Sequence, residues 1–211
     1  MQLTENQILK IKRLKKDGSI SYDHVKTIAK AIRTGSTFLL PVDSIYGFIS
    51  KLDNENLNNL PQCYQSRDTV EVIISNFKML EEMALVDKFK YDFLKRIWPG
   101  EVIVQLKNKR CNDDFNYLMR MPRHRYLLDI INEVGAPLIY TPATRKNKSV
   151  YRDKELMRNY KDECSMLLID EFSKNHTFPT MIDISCNNLV ILNEGRVCSD
   201  EIKSLYFLGN M

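Results

Sequence analysis

Positive charge in this 211-residue chain is concentrated rather than abundant. The formal net charge is only +4, yet Lys and Arg gather at Lys10–Lys16 (KIKRLKK), Arg120–Arg125 (RMPRHR) and Arg145–Lys154 (RKNKSVYRDK). Clusters of this kind draw phosphates and other anions even where the total charge is mild. The first cluster reads as the solvated face of a helix. Arg120 differs from the rest because apolar residues flank it in Leu118-Met-Arg-Met-Pro122. A guanidinium so placed must pair internally or face a pocket, and the expectation taken here is the pocket.

Other chemistries are disfavoured by what the chain lacks. Five cysteines (Cys63, Cys111, Cys164, Cys186, Cys198) lie far apart, with no C-x-x-C pair, so neither a disulfide framework nor a zinc site is expected. His24, His124 and His176 have no metal-ligand spacing, so any metal would arrive with a phosphate ligand. No apolar run approaches the ~18–20 residues of a membrane span, and the N-terminus lacks the h-region of a signal peptide. The expectation is a cytoplasmic protein with no membrane partner and no tightly bound cofactor.

The elements that must position these residues alternate between helix and strand. Thr4 and Gln7 have capping-box spacing, and Ile8, Ile11 and Leu14 recur at helical intervals, which predicts a short helix over about 5–17. Val25, Ile28, Ala29 and Ile32 give a second helical stripe, closed by Gly35. Thr37–Pro41 reads as a buried strand, and Asp43–Gly47 as the turn after it. Further strand-like runs are Val70–Ser75, Val102–Leu106, Tyr117–Met121, Leu138–Thr141, Met166–Ile169, Met181–Ile184 and Leu189–Leu192. Helical stretches fall at Phe77–Leu85, Phe89–Trp98, Tyr126–Val134 and Lys154–Tyr160, with Trp98-Pro-Gly100 as a helix stop holding a core tryptophan. Interleaving of this sort predicts a mixed α/β sheet in one domain over 1–211, with a helical N-terminal extension over 1–20.

Six segments, in order, carry a family resemblance. Pro41-Val-Asp-Ser-Ile-Tyr-Gly47 resembles the P-T-D-T-V-Y-G signature of the YrdC-like family, and Leu94-Lys-Arg-Ile-Trp-Pro-Gly100 its K-x-F-W-P-G-P-L-T block. Met119-Arg-Met-Pro122 is similar to V-R-x-P, and Leu138-Ile-Tyr-Thr-Pro-Ala-Thr144 to V-A-T-S-A-N. Phe178-Pro-Thr-Met-Ile-Asp183 is similar to E-S-T-V-V-D, and Ile191-Leu-Asn-Glu-Gly-Arg196 to I-L-R-E-G. The chain thus resembles a divergent member of the YrdC/YciO/YwlC-like family, the threonylcarbamoyl-AMP synthase fold. That resemblance implies a twisted sheet with helices around a large concave basic cleft. It also implies a reaction of L-threonine, bicarbonate and ATP with Mg²⁺, serving threonylcarbamoyladenosine modification of tRNA.

Such a reaction needs no covalent enzyme intermediate. It rests on aligning reactants and neutralising phosphate charge with Lys, Arg, hydroxyl and amide donors. The residues that the resemblance assigns to substrate and nucleotide binding are Asp43, Ser44, Tyr46, Arg67, Arg120, Thr141, Thr180, Asp183 and Glu194. For Tyr46, Thr180 and Asp183 the competing role is to satisfy loop amides at strand ends. The family's K-x-R becomes Gln65-Ser66-Arg67, its S-x-N becomes Pro142-Ala143-Thr144, and the arginine of R-E-G becomes Asn193. Losing one preorganised donor typically costs about 10²–10³ in rate, so no catalytic residue is assigned.

Arg123, Arg125, Arg145, Lys146 and Lys148 belong to segments that border the cleft in the family fold. Duplex RNA is recognised largely through phosphate, shape and 2′-OH contacts that a basic concave surface can provide. Three readings follow: a synthase with altered phosphate contacts, a non-catalytic duplex-RNA- or nucleotide-binding paralogue of the YciO type, and a cleft for another small carboxylate or nucleotide.

Overall fold

The computed structural model describes residues 8–11, 14, 16–43, 45–52, 71–109, 116–145, 148–149, 160, 164–170 and 177–208. Its helices follow from apolar spacing and local caps. α1 (Tyr22–Arg33) starts at Ser21, whose hydroxyl accepts from the His24 N–H at 3.3 Å, and it buries Val25, Ile28, Ala29 and Ile32 along one stripe. α2 (Phe77–Met83) and α3 (Lys88–Ile97) are capped by the side chains of Asn76 and Asp87. α4 (Arg125–Val134) ends at Gly135, which takes the left-handed conformation of a C-terminal cap. α5 (Ser199–Phe207) buries Ile202 and Tyr206.

The strands are β1 (Ile8–Ile11), β2 (Phe38–Val42), β3 (Ile45–Lys51), β4 (Glu71–Ile73), β5 (Val102–Lys107), β6 (Asn116–Arg120), β7 (Leu138–Pro142), β8 (Thr144–Arg145), β9 (Lys148–Ser149), β10 (Met166–Asp170), β11 (Thr180–Asp183) and β12 (Val190–Asn193). Ten form one mixed sheet in the order β1-β10-β2-β3-β7-β4-β6-β5-β11-β12, and β8 and β9 form a separate two-stranded ribbon. The mixed α/β expectation is met.

Register explains how one sheet is both core and site. Ile49, Tyr140, Glu71, Leu118, Gln105 and Asp183 lie opposite one another in a single row across six strands. The adjacent row is Ile139, Val72, Met119, Val104 and Ile182. Successive side chains point to opposite faces, so the second row buries apolar groups on one face while the first sets Glu71, Gln105 and Asp183 on the other. Val72, Met119, Val104 and Ile182 belong to the main core together with Phe93, Ile202 and Tyr206 from α3 and α5. Tyr206 meets Phe89 and Phe93 edge-to-face at 4.9 and 5.1 Å. α1 and α4 are tied by the Arg33 guanidinium, which donates to the Glu133 carbonyl at 2.6 Å, and by the Tyr22 hydroxyl on the Glu133 carboxylate at 2.8 Å.

Two sequence expectations are corrected. Ile8–Ile11 is a strand pairing in parallel with β10, not part of a helix over 5–17. An isolated helix of that length is marginal in water, and an open strand edge offers a full ladder of backbone partners instead. The turn after β2 is tighter than Asp43–Gly47, because β3 already begins at Ile45 and Gly47 is a strand residue. α5 falls beyond Leu189–Leu192, in a stretch for which the sequence pattern predicts no element. The helix expected over Lys154–Tyr160 lies, apart from Tyr160, outside the described residues.

Candidate functional site

Asp43 sits at the tip of the β2–β3 hairpin with φ at 56°, a left-handed conformation that Asp tolerates better than most residues. Its carboxylate is buried. Oδ1 accepts the backbone N–H groups of Arg123 at 2.9 Å and His124 at 3.2 Å, where the chain enters α4. A negative charge there also complements the positive end of the helix dipole. Oδ2 lies 3.3 Å from Nη1 of Arg120, and the His124 Nδ1 is 3.5 Å from Oδ1.

Arg120 completes the set. Its side chain is 1% exposed, and its Nε donates to Glu71 Oε1 at 2.6 Å. Its guanidinium also stands 5.6 Å from the centre of the Tyr140 ring. Burial works against the arginine's charge, but the carboxylates of Glu71 and Asp43 outweigh it and hold its pKa above the ordinary arginine value. Burial pushes the Glu71 carboxyl upward, and Arg120 offsets this only in part. Arg120 therefore pairs internally, which corrects the expectation that it faces an open pocket. The physical reason is Glu71, an acid in the neighbouring parallel strand, two residue pairs removed from the Ile73↔Arg120 match and so on the same face.

Gly47 supports the same cluster from behind. A Cβ at that position would run into the Tyr140 ring and the Thr141 carbonyl, so only glycine lets β3 and the ring approach so closely. Tyr140 in turn donates its hydroxyl to the Ile45 carbonyl at 3.2 Å.

The hairpin tip and Arg120 meet although the register would hold them at different levels of a flat sheet. Asp43 lies beyond the Val42↔Ile45 pair, above the Ile49–Tyr140–Glu71 row, while Arg120 lies below that row. Contact at 3.3 Å requires the β2–β3 hairpin to coil over the face that carries Glu71.

Three further loops join here. Gly100 N–H donates to the Met121 carbonyl at 2.9 Å, Thr180 N–H to the Glu101 carbonyl at 3.2 Å, and Arg196 N–H to the Phe178 carbonyl at 2.9 Å. Arg196 Nε also reaches Glu101 Oε2 at 3.0 Å. Five of the six sequence segments, those containing Asp43, Gly100, Arg120, Thr180 and Arg196, thus converge. The sixth is tied to β3, where Ala143 N–H donates to the Tyr46 carbonyl at 2.8 Å.

Several candidate residues are engaged in the scaffold. Thr180 Oγ1 accepts from Gly195 N–H at 3.0 Å and Val197 N–H at 3.1 Å and donates to the Val197 carbonyl. Asp183 accepts from Ser185 N–H at 2.7 Å and from Gln105 Nε2 at 3.2 Å. Glu194 accepts from Ser199 N–H at 3.2 Å at the start of α5, and the Ser199 hydroxyl, followed by that N–H, holds its carboxyl below the usual glutamate value. Tyr46 is buried in β3. Thr141 is fully buried, and its hydroxyl has no hydrogen-bond partner among the described residues.

The remaining candidates divide by position. Arg123 is exposed and its side chain has no ionic or hydrogen-bonding partner among the described residues, whereas Arg125 is held by Asp129 at 2.8 Å. Arg145 and Lys148 are opposite one another on the β8–β9 ribbon. Ser44, Gln65, Arg67 and Lys146 lie outside the described residues. Glu71, Glu101, Tyr140 and Arg196 were not singled out in the sequence. The acid in Val70-Glu-Val-Ile was a legible signal, since an arginine within one apolar strand calls for an acid within another.

Within the described part of this cluster, Asp43, Glu71 and Glu101 offset Arg120, Arg123 and Arg196. A basic cleft is therefore not seen among these residues. A concavity of about 420 Å³ between α2 and α3, lined by Glu81, Leu85, Asp87, Lys88, Tyr91 and Lys109, shares no residue with the cluster. No group of three His, Cys, Asp or Glu side chains among the described residues could hold a metal, and no described helix is long and apolar enough to cross a membrane.

The family profile for Sua5, YciO and YrdC, described as "Telomere recombination", matches residues 30–195, and the chain belongs to that family. Among solved structures, YciO from E. coli is similar with a TM-score of 0.78 at 17% identity, covering 90% of this chain and 95% of that one. Sua5 from P. abyssi, complexed with L-threonine, gives 0.79 at 19% identity, covering 94% of this chain and 60% of the Sua5 chain. HypF in a phosphate- and nucleotide-bound form gives 0.69 at 15% identity, covering 82% of this chain and 29% of HypF. At these identities the likeness is one of fold.

Proposed function

We propose that the loops gathered around Asp43 and Arg120 form the floor of a ligand site for L-threonine and ATP, and that the chain makes threonylcarbamoyl-AMP. The observation that carries this reading is the convergence of five family segments on one buried ion set, with the exposed Arg123 at its edge. Solved relatives in complex with L-threonine and with nucleotide support it. In this reading the threonine amine adds to bicarbonate with loss of water, and an oxygen of the resulting carbamate attacks the α-phosphorus of ATP. Pyrophosphate leaves. The buried Asp43–Arg120–Glu71 set positions the loops, and Arg123 supplies charge to the ligand's anionic end. Mg²⁺ enters as the ATP complex, held by its phosphates. The intact hydroxyl capacity of Thr141 is a further polar group for a ligand or a bound water.

The direct test is incubation of the protein with ATP, L-threonine, bicarbonate and Mg²⁺, followed by mass detection of threonylcarbamoyl-AMP. Product that disappears when threonine or bicarbonate is omitted supports the reading, and no product at high enzyme concentration overturns it. A second reading, binding of duplex RNA, is favoured by exposed Arg123 and by a ribbon that carries Arg145 and Lys148. It expects RNA binding that weakens steeply with salt and proceeds without turnover.

A further inference from the structure

Glu101 stands where the family block W-P-G-P-L-T has its second proline, and it introduces a carboxylate into the convergence of loops. Its backbone is fixed on both sides: Gly100 is bonded to Met121, and the Glu101 carbonyl accepts from Thr180. Its side chain is 12% exposed, with Oε2 buried and 3.0 Å from Arg196 Nε. Yet that oxygen takes no aligned hydrogen bond from a described residue. Close charges without an aligned N–H leave the buried oxygen incompletely satisfied, so the contact is weaker than a bidentate or well-directed pair. Burial, and then the Asp43 carboxylate, push the Glu101 carboxyl upward against the opposing pull of Arg196, Arg120 and Arg123.

Arg196 retains 36% exposure of its side chain, and Arg123 is exposed on the neighbouring loop. An anionic ligand entering beside Arg123 meets Arg196 already occupied by an internal carboxylate. We propose that Arg196 is an anchor for the ligand's phosphate groups, and that Glu101 holds its guanidinium until a polyanion displaces it. Glu101 thereby sets the threshold of the site: a diphosphate or triphosphate competes effectively for Arg196, whereas a single weak anion does not. This deepens the ligand site proposed above and rests on it.

The test is calorimetric titration of the full chain with inorganic pyrophosphate, in wild type, E101Q, R196Q and the E101Q/R196Q pair, with L-threonine titrated in parallel. Glu101→Gln keeps the shape and removes the competing charge, so pyrophosphate binds about three- to tenfold more tightly, a gain that shrinks with added salt. Arg196→Gln weakens pyrophosphate, and in its background Glu101→Gln gains nothing. Unchanged or weaker affinity in E101Q, a gain that survives R196Q, or no pyrophosphate binding in either wild type or E101Q overturns the proposal. Threonine binding with no E101Q effect leaves the amino-acid reading standing while the anchor falls. The E101Q gain without threonine binding does the reverse.

Discussion

Arg120 and Asp43 are 77 residues apart in sequence, and a guanidinium nitrogen of one lies 3.3 Å from a carboxylate oxygen of the other. With Glu71 on its second side, Arg120 stands between two buried acids. Loop geometry at the candidate site thus depends on an electrostatic balance inside the protein.

Replacing Arg120 by Ala is expected to destabilise the whole fold rather than only weaken a ligand. It strands two buried carboxylates, at about 3–5 kcal/mol. Urea denaturation checks this. A midpoint close to that of the wild type would mean that the acids find other partners.

The Glu71 carboxyl is raised by burial, so the folded state binds its proton more tightly than the unfolded chain does. Its contribution to stability is fully present below the ordinary glutamate value and is lost as pH rises through the raised one. Glu71→Gln removes that dependence. The unfolding free energy of wild type minus that of E71Q should fall as pH rises from mildly acidic to neutral, and parallel curves would contradict the direction.

Gly47→Ala forces a methyl group toward the Tyr140 ring and the Thr141 carbonyl. Overpacking of this kind costs about 1–3 kcal/mol. Thermal unfolding of G47A, Y140L and the double variant tests the contact: the pair should lose less than the sum of the singles.

Thr180→Val keeps the shape of the side chain but deprives the Gly195 and Val197 amides of their acceptor. The expected loss is about 1–3 kcal/mol, with faster hydrogen exchange at those two amides, and Thr180→Ser should restore protection. Unaltered exchange in T180V would show that the loop does not need the hydroxyl.

Much of this architecture was readable from the chain alone because its signals are local. The stripe Val25, Ile28, Ala29, Ile32 and the runs that became β2, β5, β6, β7 and β11 carry their period within a few residues. The ordered segments around Asp43, Trp98, Arg120 and Thr180 are likewise visible as short motifs, and their loops meet in the fold. What remained hidden is set by distant partners. Whether Arg120 pairs or points outward depends on Glu71, 49 residues away, and Ile8–Ile11 becomes a strand only because β10 lies beside it. Thr180, Asp183 and Glu194 look the same in sequence whether they touch a ligand or hold a loop, and only the amide partners distinguish the two.

The place of β10 has a consequence for how the chain is made. It lies between β1 and β2, in parallel with both, so two strands from the first fifth of the sequence cannot be joined until residues 166–170 have left the ribosome. Closure over so long a separation is slow, and until it happens the amino-terminal segment is a tether awaiting its clasp. A nascent chain halted before residue 166 should therefore leave Ile8–Ile11 open to protease, and one extended past it should not.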